Sequence, residues 1–152
     1  MIRPLLSIGV LSIVALPIVA LAAAPAWAQA APPLTDLRIV AVTSASQAER
    51  IGPDQQATAK RHDGPVTLIV RETGIGRARV LRVNGAVANP PSTTRPLCGA
   101  AVTPGACRSG ESTTGVEITY HLGDLPRDTI VSVQDLSANL PAATLTAEIT
   151  VR

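Results

Sequence analysis

Apolar and polar residues alternate with period two through much of the chain, the spacing that turns one face of a β-strand toward a core and the other toward water. The last segment shows it most plainly. Leu145, Ala147, Ile149 and Val151 share one phase, and Thr144, Thr146, Glu148, Thr150 and Arg152 share the other. Over residues 66–72, Val66, Leu68 and Val70 alternate with Thr67, Ile69 and Arg71. Residues 37–42, 116–121 and 129–135 follow the same rhythm, as do 77–84, where Leu81 and Val83 oppose Val80 and Arg82. The phase slips beside Arg79, which predicts a bulge there. Asn84-Gly85 is a two-residue hairpin turn, since both residues accept positive φ at little cost, so residues 86–88 should fold back as a short strand.

Two stretches lack the rhythm. In residues 43–63 only Ile51 is a large apolar residue, and 47–50 could form a helical turn or part of the stretch a short edge strand. Residues 89–114 are rich in Pro, Ser, Thr and Gly and read as a long excursion without regular structure. The tally is six or seven strands with turns between them and no amphipathic helix, which predicts an all-β antiparallel sandwich, with an open barrel as the competing arrangement.

Residues 5–24 carry no charge and follow Arg3. Ala26-Trp27-Ala28 and Ala28-Gln29-Ala30 each place small residues two apart, as signal peptidase requires. We therefore expect a signal peptide over 1–28, cut after Ala28 or Ala30, then a proline-stiffened linker over 31–36 and one folded domain over 37–152. Retention of the apolar run as an uncleaved anchor is the alternative, opposed by Pro17 and the paired cut sites. After cleavage no later segment is apolar for long enough to span a bilayer as a helix. The chain is then exported, to the periplasm or beyond the cell. Cys98 and Cys107 reach an oxidising compartment by this route and should form a disulfide that closes one loop.

Composition narrows the chemistry. A chain that is 46% hydrophobic and 16% charged is globular. With no Phe, one Trp and one Tyr, it has no aromatic platform for stacking bases or sugars. A formal net charge of +2, reduced by loss of Arg3, is no footprint of nucleic-acid binding. Gly74-Ile75-Gly76-Arg77 lacks a dinucleotide fingerprint, because Arg79 stands where glycine is needed and a strand follows.

His62 and His121 could meet Asp63 or Asp124 in a catalytic or metal site, but their polar surroundings read as plain surface positions. Asp128 and Asp135 lack the clustered spacing of a calcium loop. No catalytic, cofactor or metal residue is assigned. Arg77, Arg79 and Arg82 form the one local basic concentration, a candidate interaction patch, or else solvated positions that guard a strand edge.

From Val66 to Arg77, and again at Arg82-Val83-Asn84-Gly85, the sequence resembles bacterial immunoglobulin-like modules, with a strand, a Gly-Ile-Gly turn and a strand ending in Val-Asn-Gly. Residues 122–139, with Ile130-Val131-Ser132-Val133, Asp135 and Asn139, resemble their penultimate strand and following turn, and the Thr-rich final strand completes the pattern. The chain departs from antibody domains in lacking the core Trp and the intersheet cysteine pair, so its strand topology stays open.

The resemblance implies an immunoglobulin-like sandwich in an exported protein and, since such modules host many functions, no more than that; our leading expectation is a domain that works without catalysis, by protein or surface contact. The contact would be made through the disulfide loop or an exposed strand edge, with an unknown protein as partner and the oligomeric state unspecified. Two other readings stand beside it: a small periplasmic ligand binder or hydrolase using His62 or His121, and a subunit of a fibre or secretion complex that donates or receives a strand.

Overall fold

A computed structural model of the chain describes residues 32–99 and 103–152. The expected signal peptide and its cut sites lie outside these residues. Strands follow one another as β1 (Asp36–Thr43), β2 (Ala48–Arg50), β3 (Pro65–Thr73), β4 (Val80–Val83), β5 (Ala86–Ala88), β6 (Ser92–Cys98), β7 (Thr103–Pro104), β8 (Thr113–Asp124), β9 (Thr129–Leu136) and β10 (Thr144–Val151). No described residue is helical. The strands make two antiparallel sheets, ordered β2-β1-β3-β8-β6-β7 and β10-β9-β4-β5.

The period-two pattern decides which side chains meet between the sheets. Val66, Leu68 and Val70 of β3, Leu37, Ile39 and Val42 of β1, and Ile118 and Tyr120 of β8 cover the inner face of the larger sheet. Leu81 of β4, Val131 and Val133 of β9, and Ile149 and Val151 of β10 answer from the smaller one. Valine and isoleucine dominate because β-branched chains suit a pleated, half-buried surface. The molecule is thus an all-β sandwich whose layers are held by aliphatic burial, each fully buried side chain contributing about 1.5–3 kcal/mol.

The chain reversals match the turn chemistry. Asn84 and Gly85 take φ of 49° and 81°, and Val83 pairs with Ala86 across them. Cys98 and Cys107 are joined as a disulfide.

Several expectations need correction. Residues 47–50 form no helical turn, and the short edge strand expected as the alternative is there instead: β2 pairs Ala48–Arg50 with Ala41–Thr43 of β1. The excursion over 89–114 holds a strand, β6, paired along β8 from Ser92 to Cys98. Ser92, Thr93, Thr94 and Arg95 are all exposed, so neither face demanded apolar residues and no alternation advertised the strand. Residues 77–79 lie outside β4, and the phase slip at Arg79 reflects this break rather than a bulge. Register shifts occur instead between Ile39 and Ala41, between Val66 and Thr67, and between Leu97 and Cys98. The stretch expected as linker is already packed at Leu34, which is buried and donates its N–H to Ser137 Oγ at 3.0 Å.

Candidate functional site

β10 closes one side of the smaller sheet and pairs with β9 in unbroken register, Thr144 opposite Leu136 through Val151 opposite Thr129. Its other side carries no strand ladder over most of its length and lies against β1. At Thr150 the chain pairs with itself: Thr150 N–H donates to Gln56 O at 2.8 Å, and its carbonyl accepts from Thr58 N–H at 2.9 Å. Backbone groups in a strand point alternately left and right. The N–H and C=O of Thr144, Thr146 and Glu148 therefore face the same open side as those of Thr150, with no backbone partner among the described residues.

Beside this edge runs the first half of β1. It pairs with β3 on one side, while β2 covers only Ala41–Thr43 on the other. The cover reaches as far as Val40, whose carbonyl accepts from Ile51 N–H at 3.0 Å beside the register shift between Ile39 and Ala41, and Asp36 to Ile39 have no strand on that side. Between β1, β10 and the following loop lies an open cleft of about 370 Å³. Leu37, Ile39, Ile51 and Ala147 give it an aliphatic floor, and the exposed Asp54 and Glu148 stand at its mouth. Arg38, also at the cleft, has its guanidinium bonded to Asp36 at 2.6 Å.

The loop that bounds the cleft is pinned from within. Glu49 sits opposite Val42 and points inward, where Oε1 accepts from Ala59 N–H at 2.7 Å and from the Gln55 amide, and Oε2 accepts from Lys60 N–H at 2.9 Å. Burial opposes its charge, but these donors, with His62, outweigh it and hold the carboxyl below its ordinary value. Thr58, fully buried, accepts from Arg152 N–H through its hydroxyl at 2.9 Å.

A second group of charges lies between the sheets. Glu72 extends the inward phase of β3 and is wholly buried, and Asp135 reaches in from β9. Arg79 bridges them, donating from Nε to Glu72 Oε1 at 2.6 Å and from Nη2 to Oε2 at 2.5 Å, with Nε 3.4 Å from Asp135 Oδ2. Asp135 Oδ1 also accepts from Ala78 and Leu136 N–H at 2.9 and 2.7 Å. Burial pushes the Glu72 carboxyl above its ordinary value against the pull of Arg79, and pushes the Tyr120 phenol up as well. The Arg79 guanidinium is raised: burial works against its charge, and the Glu72 carboxylate more than compensates. Gly76 is required here, since a Cβ would stand 2.0 Å from Asp135 Oδ2. This cluster ties the residue 74–79 turn to both sheets.

The candidates drawn from sequence disperse. Arg79 is committed to Glu72. Arg77 donates its backbone N–H to Leu136 O at 2.8 Å, and Arg82 lies on the outer face with Nη1 3.5 Å from Gln134 Oε1. His62 is no surface residue: its side chain is closed to solvent, with Nε2 3.7 Å from Glu49 Oε2 and Nδ1 3.3 Å from Ser44 Oγ. Its role is to fill the space beneath the loop, because residues 58–62 fold back onto β10. His121 is exposed on β8, with Nδ1 3.4 Å from Thr67 Oγ1.

Glu49 and Glu72 escaped the sequence reading, although Glu72 continues the phase of Val66, Leu68 and Val70, which is a legible signal for an inward carboxylate. Among the described residues no group of three or more His, Cys, Asp or Glu is placed to hold a metal ion, and no helix is long and apolar enough to cross a membrane.

The family model described as Domain of unknown function (DUF4879) matches residues 24–151. No curated protein and no solved structure matches the chain.

Proposed function

We propose, for a chain that belongs to the family described as Domain of unknown function (DUF4879), that it is an exported immunoglobulin-like domain which acts without catalysis by adding an extended segment of another polypeptide to the open edge of β10. One observation carries this reading. The fold already pairs residues 56–58 with this edge at Thr150, leaving the matching backbone groups of Thr144, Thr146 and Glu148 unspent beside a cleft of mixed polar and aliphatic lining. Main-chain bonds would supply affinity and the cleft would select side chains, the division of labour typical of β-strand addition. The disulfide and the small-x-small sites before Pro32 support export.

A peptide library displayed against the folded chain tests the reading. Selected binders should slow hydrogen exchange at the amides of Thr144, Thr146 and Glu148, and should lose binding to Thr146→Pro, which removes one outward N–H. Binders that leave those amides exchanging freely would show that the contact lies elsewhere and overturn the proposal.

A further inference from the structure

The cleft and the charges at its mouth say more about the occupant, given the strand-addition reading on which this inference rests. A strand laid beside β10 must place its side chains in a fixed alternation. Residues opposite Thr144, Thr146 and Glu148 exchange backbone bonds and send their side chains to the outer face, while residues opposite Leu145 and Ala147 send theirs inward. The inward set meets Leu37, Ile39, Ile51 and Ala147. An apolar hole of about 150 Å³ holds a benzene. The 370 Å³ cleft has the volume for two side chains, with Asp54, Gln55 and Gln56 lining it beside the aliphatic residues.

The outward set meets negative charge. Glu148 lies on the strand itself and Asp54 at the cleft, and neither carboxylate forms an ion pair among the described residues. Arg38, which also lines the cleft, is bonded to Asp36. Across the sheet Glu148 faces Ser132, and the next strand's Arg82 turns to Gln134. From this arrangement we infer that the edge takes a cationic extended segment in which basic and aliphatic residues alternate, the basic ones outward on the face of Glu148 and the aliphatic ones toward the cleft, at whose mouth Asp54 stands. A second copy of the chain would offer Thr144 to Glu148 in antiparallel pairing about Thr146, leaving both acids uncompensated, so a cationic partner fits better.

Two blocked heptapeptides provide the test, Lys-Val-Lys-Val-Lys-Val-Lys and Glu-Val-Glu-Val-Glu-Val-Glu, titrated by calorimetry at low salt with exchange followed at the β10 amides. The lysine peptide should bind several-fold more tightly, as expected when the cross-strand pair at Glu148 changes from opposed to like charge beside the Asp54 carboxylate, and salt should narrow the gap. Asp54→Lys combined with Glu148→Lys, both at exposed positions, should invert the order.

Equal binding of the two peptides, or tighter binding of the glutamate peptide, with the Thr144, Thr146 and Glu148 amides protected would overturn the charge preference and keep strand addition. Failure of both peptides to protect those amides would overturn both readings. Protection that rises with protein concentration in the absence of peptide would make the occupant a second copy and overturn the cationic assignment.

Discussion

Arg79 is the residue on which the interior charge balance turns, because it alone faces two carboxylates that have left water. Arg79→Met keeps much of the volume and removes the cation, stranding Glu72 and Asp135 together. We expect it to cost about 3 kcal/mol at neutral pH, the scale of a broken buried pair. The loss should shrink on acidification. With its folded pKa raised further, the Glu72 carboxyl contributes most below its ordinary value of 4.5 and loses that contribution as pH rises through the folded value. Urea unfolding at about pH 4 and about pH 7 would reveal the convergence. A penalty independent of pH would count against this account.

Glu49 has the opposite sign. Its carboxyl is held below 4.5, so its contribution is present above that pH and is lost as pH falls through the lower folded value. Glu49→Gln should therefore be less stable near neutrality and should lose part of the acid slope of the parent. The readout is the denaturation midpoint across the acid range, and an unchanged slope would contradict it.

At the scale of the element, β10 makes a prediction that depends on register alone. Thr146 N–H points to the open edge and Ala147 N–H points to Val133. Proline lacks this donor and is confined to positions where none is needed. Thr146→Pro should thus fold with nearly parental stability. Ala147→Pro should cost about 2 kcal/mol more, since it breaks a ladder bond and strands a carbonyl on β9. Thermal melts of the two variants separate the cases, and equal losses would mean that the facing of the strand is wrong.

The same element shows what could be foretold. The alternation from Thr144 to Val151 identifies both faces of β10 from the sequence, since a half-buried strand must segregate its side chains. It could not say which side of the strand stays unpaired, because that depends on where residues 56–58 return, a long-range matter. β6 was invisible for a complementary reason: its exposed Ser92-Thr93-Thr94-Arg95 run is held by backbone bonds, which leave no mark on side-chain pattern. Glu49 and His62 lay in a stretch with too few apolar residues to set a phase. Arg77, Arg79 and Arg82 are neighbours in sequence, yet the break before β4 sends Arg79 inward and Arg82 outward.

For the molecule as a whole, the core and the cysteine bridge make separable contributions. The bridge between Cys98 and Cys107 spans 9 positions beyond the aliphatic centre. Closing so short a loop should add about 2.5 kcal/mol in the chain-entropy picture. Cys98→Ser with Cys107→Ser should lower the melting temperature by several degrees and leave the sandwich folded. Calorimetry under matched conditions measures this, and a chain that no longer folds would show that the bridge holds up the core itself.

The self-pairing at Thr150 also limits what a visitor can do. Because residues 56–58 occupy the last rung, a guest ribbon gains at most three bonded positions before it meets the chain's own return and must peel away. Such a stop lets a domain be sticky for short guests without seeding the endless stacking that a full-length bare margin invites.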